Sequence, residues 1–358
     1  MQRTPSPGLF LFCRNGYEKD CASEIQALAN LLACVGYCKT KTDSGHVIFC
    51  AQDYSSAETL YSSIDFSQLI FARQWFLVYE VISDLPESDR LTPILDCIQQ
   101  ASNHYGKFSQ LIIQQANMES KDNLQRFISS FSHPLNKTLN QLDLVPNTNE
   151  RHNEHYLQLC FTSASQVYIG YLAKGQPWQG GIPRLKIPET APSRSYLKLE
   201  EAFIRFMGNQ RNHYLKPAMT AADLGAAPGG WSWLLIQNHI KVTAVDNGPL
   251  DKHLIDSGLC NHIMQDAFKY EPSHPHDWLV CDIVDKPLRV VDLVNHWVEQ
   301  NWCSYAIFNL KLPMLQRFKF IEKEVYPWLE KLLQHQQITR WRAKQLYHDR
   351  HEVTFMLE

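Results

Sequence analysis

The chain has 358 residues, 44% of them hydrophobic and 20% charged, an ordinary globular composition long enough for two cores. No run reaches the roughly 18 apolar residues of a membrane span, and Leu9–Cys13 is too short for a signal-peptide core, so a cytoplasmic protein is expected. A formal net charge of −3 excludes a uniformly basic nucleic-acid binder but allows a local basic face.

In the first half, short apolar runs at Gly8–Cys13, His46–Cys50 and Trp75–Ile82 predict strands. They alternate with helical spacing over Tyr17–Leu32, Thr92–Tyr105 and Lys121–Phe131. Further strands are expected at Leu111–Gln115, Tyr156–Thr162 and Gln166–Ala173. This α+β pattern carries no obvious catalytic cluster. A stretch rich in proline and glycine from Lys174 to Ser195 reads as a linker, dividing the chain into domains of residues 1–175 and 176–358. The ten cysteines follow no framework spacing, and Cys34 and Cys38 lack a second pair to complete a zinc site, so reduced thiols and no metal are expected.

The second half alternates strand and helix. A helix is expected over Lys198–Met207, with Ser195 as its N-cap. Strands follow at Thr220–Gly225, Lys241–Asp246, His262–Asp266, Trp278–Val284 and Tyr305–Leu312. The intervening helices fall at Trp231 onward, Leu250–Ser257 and Val290–Glu299. A long helix over Phe318–Gln336 precedes two strands, Arg340–Tyr347 and Glu352–Leu357. The fold class is therefore α/β: a Rossmann-like, mostly parallel sheet closed by an antiparallel hairpin and preceded by the α+β domain.

Residues 222–231 read Ala-Asp-Leu-Gly-Ala-Ala-Pro-Gly-Gly-Trp. A strand tipped by Asp223 enters a turn containing Gly225, Ala227, Pro228, Gly229 and Gly230, then an apolar helix. Such a turn brings backbone close to a ligand at the carboxyl ends of a parallel sheet. The dinucleotide fingerprint G-x-G-x-x-G is absent, which weakens an oxidoreductase reading. Asp223, Asp246, Asp266 and Asp282 all sit near strand ends. Asp246 lies at the spacing where an acidic tip meets ribose hydroxyls, and Asp266 is placed to bind an adenine amino group. Lys311 ends an apolar strand, Ile307-Phe308-Asn309-Leu310-Lys311, where it either snorkels to the surface or is held in the site.

The glycine turn resembles the first motif of S-adenosylmethionine-dependent methyltransferases. The resemblance widens with Leu69–Phe76, Gly181–Lys186, Ala191–Phe203, Val245–Pro249 and Gln345–Arg350. Together these segments resemble the bacterial ribosomal RNA large subunit methyltransferase M family, a branch of the RNA 2′-O-methyltransferases with an FtsJ-like catalytic domain. The resemblance spans nearly the whole chain. It implies an RNA-binding, THUMP-containing first half and a methyltransferase second half, using S-adenosyl-L-methionine to methylate a ribose 2′-oxygen of a cytidine in the peptidyl-transferase region of 23S rRNA.

The resemblance also implies a Lys-Asp-Lys-Glu tetrad at Lys198, Asp282, Lys311 and Glu352, with Lys311 as general base and Lys198 as a cation acting on it. Cofactor contacts would fall on Ser195, Ala227, Pro228, Gly229, Gly230, Asp246, Asp266 and Asp282, joined by Asp223 from the row of strand-end carboxylates. Ala227 replaces a common cysteine, and Asp285 and His351 stand where glutamate is expected. The partner would be 23S rRNA or a pre-50S precursor, with no membrane and a monomeric protein. Candidate RNA contacts are Arg73 with Trp75, Arg184, Lys186, Arg194, Arg317 with Lys319, and Arg350.

Competing readings are methylation of a base, protein or small molecule, methylation of another RNA, and an rRNA-binding assembly factor with a relic fold. The place of an amino-methylating Asn/Asp-Pro-Pro-aromatic motif reads Asp282-Ile283-Val284-Asp285 instead. A cytosine C5 enzyme needs a nucleophilic thiol, and alternation turns Cys281 away from Asp282.

Overall fold

The computed structural model describes residues 8–120, 123–145, 155–173 and 178–358. The chain divides into two compact units, Met1–Ile182 and Pro183–Glu358, a division that falls inside the proline- and glycine-rich stretch. The expected helix start at Lys121 and the stretch 174–177 lie outside the described residues.

The first unit runs β1 (Gly8–Phe12), α1 (Glu18–Leu31), β2 (Gly36–Thr40), β3 (His46–Ala51), α2 (Tyr54–Ser63), β4 (Gln74–Ile82), α3 (Leu91–Tyr105), β5 (Gln110–Gln115), α4 (Leu124–Gln141), β6 (His155–Ser163) and β7 (Gln166–Ala173). Its seven strands form one sheet in the order β2-β3-β1-β4-β7-β6-β5, antiparallel except for β5 beside β6. Phe10, Phe12, Ile48, Phe76, Val78, Ile112, Cys160 and Leu172 share one buried cluster on it. Two elements were not expected from the sequence. β2 is an edge strand with little burial, and α2 is a short helix capped by Asp53, whose carboxylate accepts from the Ser56 N–H.

The second unit runs α5 (Tyr196–Phe206), α6 (Arg211–Tyr214), β8 (Thr220–Leu224), α7 (Gly230–Gln237), β9 (Lys241–Val245), α8 (Lys252–Asp256), β10 (Cys260–Ile263), β11 (His276–Cys281), α9 (Pro287–Glu299) and β12 (Cys303–Lys311). It continues with α10 (Arg317–Phe320), a π-helical turn (Ile321–Val325), α11 (Tyr326–Gln334), β13 (Trp341–Lys344) and β14 (Glu352–Leu357). The sheet order is β10-β9-β8-β11-β12-β14-β13. β10, β9, β8, β11 and β12 run parallel, and β14 and β13 close the sheet antiparallel. The order reverses between β8 and β11, which opens a crevice at the carboxyl ends of those two strands.

The expected long helix is broken into α, π and α segments. Pro327 lies at the start of α11 and has no N–H to give to the preceding turn, so the backbone widens there. Strands predicted to run through Asp266 and Val284 stop at Ile263 and Cys281, and the residues beyond them belong to the rim of the crevice.

Candidate active site

The glycine turn joins β8 to α7 at the point where the strand order reverses. Gly225 has φ +78, and a Cβ there would lie 2.6 Å from Ile283 Cγ1 in the loop after β11. A Cβ on Gly230 would lie 2.2 Å from Ser195 Oγ. No side chain fits either position without displacing a neighbour. The turn is thus wedged between the start of α5 and the β11 loop. Trp231 fixes the same junction, its Nε1–H donating to the Ser195 carbonyl at 3.0 Å. Ser195 occupies the N-cap position of α5, but its hydroxyl pairs with Ser193 Oγ at 2.6 Å and makes no capping bond.

Three carboxylates stand just beyond consecutive strands. Asp246, after β9, accepts from the Ala227 N–H at 3.0 Å and the Gly248 N–H at 2.7 Å. A carboxylate offers about four acceptor positions, so Asp246 braces the glycine turn and still has lone pairs for a ligand. Asp266, after β10, accepts from the Phe268 N–H at 3.0 Å and keeps its second oxygen. Asp282 follows β11.

Asp223 departs from the expected row. It lies within β8, is 1% exposed, and accepts from Ser232 Oγ at 2.6 Å. Strand alternation turns it beneath the turn, and burial pushes its carboxyl up to about 7. It supports the turn from below and does not line the crevice.

The tetrad residues come from four elements. Lys198, on α5, donates to both oxygens of Asp282, at 3.0 and 3.1 Å. Burial pulls the Lys198 ammonium down, but Asp282, Glu352 and Asp349 outweigh it, and the net shift is upward. Burial pushes the Asp282 carboxyl up; Lys198 and Asn309 oppose this without cancelling it. Burial also raises Glu352, but Lys198 and the Arg350 and His351 N–H groups prevail and hold it below its ordinary value. Lys311 and Glu352 are direct partners across the β12–β14 ladder. The Lys311 side chain is exposed, so the strand-end lysine reaches solvent at the rim. Lys198, the cation expected to act on Lys311, is paired with Asp282.

A polar layer lies directly under the tetrad, and the sequence reading missed it. Asn309 and Thr354 are partners one same-face rung below Lys311 and Glu352. Asn309 Nδ2 donates to Asp282 at 2.7 Å, and Thr354 Oγ1 lies 2.7 Å from Asn309 Oδ1 and 3.1 Å from Asp349 Oδ2. Asp349, 1% exposed, also accepts from the Leu346 N–H at 3.0 Å. The available signal was an amide set two residues before a strand-end lysine.

Glu201, also on α5, was missed as well. It is fully buried and accepts from the N–H groups of Tyr347 and His348, both at 3.0 Å, and pairs with His348 Nδ1 at 2.7 Å. Burial raises its carboxyl, but His348, Arg205 and the two N–H groups reverse this and leave it below its ordinary value.

Three proposed RNA contacts are internal. Arg73 is 3% exposed and paired with Glu119 at 3.2 Å, Trp75 is 2% exposed, and Arg317 is 8% exposed. Packing, not a ligand, accounts for them. Arg184, Lys186, Arg194, Lys319 and Arg350 are exposed. Cys281 is fully buried, and burial pushes its thiol up to about 12, which removes it as a thiolate nucleophile. Among the described residues no cluster of His, Cys, Asp and Glu is arranged to hold a metal ion.

The rim suits a ligand rich in hydrogen-bond donors. Carboxylates beyond β9, β10 and β11 accept hydroxyl, amino and cationic groups, whereas a pyrophosphate would meet like charge. This fits S-adenosylmethionine, with its ribose diol, amino groups and sulfonium.

Comparison with known proteins agrees. Residues 191–324 match the FtsJ-like methyltransferase model. Residues 7–76 match the RlmM ferredoxin-like domain, and 89–173 the ribosomal RNA large subunit methyltransferase M N-terminal model. Ribosomal RNA large subunit methyltransferase M of Cellvibrio japonicus is 44% identical over 349 residues, covering 97% of each chain. The chain belongs to the ribosomal RNA large subunit methyltransferase M family. Proteins of the same name from Methylococcus capsulatus and Shewanella pealeana are each 40% identical, covering 99% of both chains and 98% and 97%, respectively. This family member is an S-adenosylmethionine-dependent methyltransferase. The FtsJ-like match includes Lys198, the glycine turn, Asp282 and Lys311, and stops before the β13–β14 hairpin that supplies Glu352.

Proposed function

We propose that the chain methylates the ribose 2′-oxygen of a cytidine in 23S rRNA, with Lys311 as general base. The relatives' shared name supports the RNA class. The observation that carries the chemistry is the Lys198–Asp282–Asn309 network beside the Lys311–Glu352 pair. A ribose hydroxyl is a poor nucleophile and needs its proton removed and its oxygen aimed. Lys311 takes the proton, a contribution on the order of 10²–10⁴-fold. Glu352 orients Lys311 across the ladder, and Asp282 holds Lys198 as an ammonium that stabilises the developing alkoxide. Asp246 and Asp266, with Ser195 and the backbone of Ala227, Pro228, Gly229 and Gly230, hold S-adenosylmethionine, which supplies an electrophilic methyl group when bound. Bound hydroxyl and methyl need only in-line placement, which rigid strand ends provide.

The first unit acts as a THUMP-type RNA-holding domain, covering about residues 1–175, and the methyltransferase domain covers 176–358. The protein acts as a cytoplasmic monomer on 23S rRNA or a pre-50S particle. Among the described residues no helix is long and apolar enough to cross a membrane. The test is incubation of the protein and labelled S-adenosylmethionine with rRNA from cells lacking the modification, followed by mapping of the labelled sugar. Label on a base, or no label on the large-subunit RNA, would overturn the reading.

A further inference from the structure

The first unit contains a cavity of about 430 Å³ that the catalytic reading does not use. This lies within the usual size range of ligand sites. Lys41, His46, Gln115, Asn117, Gln166 and Tyr168 are among its lining residues. His46 stacks on the buried Phe10 ring at 4.8 Å and 13°, and Tyr168 meets the same ring edge-on at 5.1 Å and 61°. Both are half-buried and border the cavity.

Gln115 and His46 each bring an acceptor to the lining. Gln115 is 4% exposed, and its Nε2 donates to the carbonyls of Asn117 at 2.7 Å and Ser120 at 3.3 Å. Its Oε1 has no hydrogen-bond partner among the described residues. A buried acceptor without a donor is costly, and a ligand donor admitted beside Gln115 would relieve that cost. His46 Nδ1 lies 2.9 Å from the Ser44 carbonyl, which assigns the proton to Nδ1 and leaves Nε2 as an acceptor. Burial lowers the imidazole and keeps it neutral, consistent with that role.

A basic and aromatic track reaches the cavity along the edge strand. In the β2–β3 ladder Tyr37 pairs with Cys50 and Lys39 with Ile48, and Ile48 and Cys50 belong to the Phe10 cluster. Opposed residues point to one face, so Tyr37 and Lys39 share the face of Phe10. Tyr37 is 58% exposed, and Lys39 Nζ stands 5.8 Å from its ring centre. Lys41 follows β2 and lines the cavity itself.

We propose that this cavity receives one unstacked, amino-bearing nucleobase of the RNA substrate, with the adjoining backbone running along Lys41, Lys39 and Tyr37. The inference rests on the RNA reading above. The acceptors of Gln115 and His46 favour the exocyclic amine of cytosine or adenine, which uracil lacks. Ring faces and a lysine track are the features that hold single strands.

The test uses the full-length protein and short labelled single-stranded oligomers of cytidine, adenosine or uridine. Wild type is expected to bind the cytidine and adenosine oligomers more tightly. Gln115→Leu should weaken those two about five- to tenfold and leave the uridine oligomer unchanged. Lys39→Ala with Lys41→Ala should weaken all three and flatten the salt dependence. Melting temperature and cofactor affinity serve as fold controls. If Gln115→Leu does not fold, ultraviolet crosslinking of the cytidine oligomer to wild type decides, with crosslinks expected in 39–46 or 166–168. No base preference in wild type, unchanged binding by folded Gln115→Leu, or crosslinks only elsewhere would overturn the proposal. Wild type that methylates rRNA alongside a Gln115→Leu variant with unchanged KM would overturn the cavity and leave the catalytic reading standing. Failure of wild type to methylate would sink that reading and leave the oligomer result to judge the cavity.

Discussion

Lys198 and Glu201 lie one turn apart on α5 and hold two different parts of the sheet rim. Lys198 takes the carboxylate beyond β11, while Glu201 takes the backbone of the loop between β13 and β14. Neighbours at this spacing share a helix face, so one helix sets the distance between Asp282 and the hairpin that carries Glu352. Glu201→Gln replaces an acceptor of three donors by an amide that can accept on one atom only. The expected result is a fall in single-turnover rate of about tenfold or more with cofactor affinity within a few-fold, as for a displaced catalytic group. An unchanged rate would free Glu201 from this role.

The same carboxylate predicts an acid limit. Its pKa is held below the ordinary 4.5, so its contribution to stability is complete above that value and is lost as pH falls through the folded-state pKa. The acid limb of the wild-type stability curve should be steeper than that of Glu201→Gln, as read by denaturant unfolding across pH.

Asp223 has the opposite sign. Its ordinary value of 3.8 rises to about 7 in the fold, so the stability it contributes is present below 3.8 and is lost as pH rises towards about 7. Asp223→Asn keeps a partner for Ser232 without the buried charge. It should stabilise the protein by about 2–4 kcal/mol near pH 8 and by nothing in strong acid. Cofactor affinity should stay within a few-fold, whereas Asp246→Ala should weaken cofactor binding about tenfold or more by removing a charged acceptor. Calorimetry with S-adenosylmethionine separates the two residues; equal losses in both would return Asp223 to the crevice.

Lys311→Ala should reduce methyl transfer on the order of 10²-fold or more with little change in cofactor affinity. Lys311→Arg should not restore it, since a guanidinium does not deprotonate in the working range. A single-turnover rate within about tenfold of wild type would remove Lys311 as the base.

Asn309→Leu should cost rate as well, because the Asp282 oxygen facing Lys198 loses its amide donor while Thr354 keeps only Asp349 as an acceptor. About tenfold is expected, with a lower melting temperature because an apolar side chain replaces the amide that links Asp282 to Thr354. If the rate is unchanged in a folded variant, the polar layer is structural only.

Much of the catalytic sheet is legible because its strands are buried on both faces and read as continuous apolar runs, as in Trp278–Cys281. Their ends are less legible: Ile283 and Val284 prolong the apolar pattern although the strand has already turned into the rim. β2 was missed because an edge strand bearing Tyr37 and Lys39 has no apolar alternation of its own. Carboxylates at strand tips were visible as types in a pattern, but depth was not. Asp223 and Asp246 look alike in sequence, and only strand alternation puts one under the turn and the other at its edge. Arg73 misled for the same reason, since a charged side chain gives no sign in sequence that it will be buried against a partner such as Glu119. Asn309, Thr354 and Glu201 were silent because their partners come from remote segments of the chain.

The position of β14 orders events during synthesis. It lies between β12 and β13, so β13 is synthesised before the strand that joins it to the sheet. Until β14 is made, β12 has an open edge, Lys311 has no Glu352 opposite it, and Asn309 lacks Thr354. The crevice carboxylates all precede β14 in the chain. The residues of the cofactor rim are therefore complete in the chain before those of the acid–base apparatus, which needs β14 in the gap between β12 and β13.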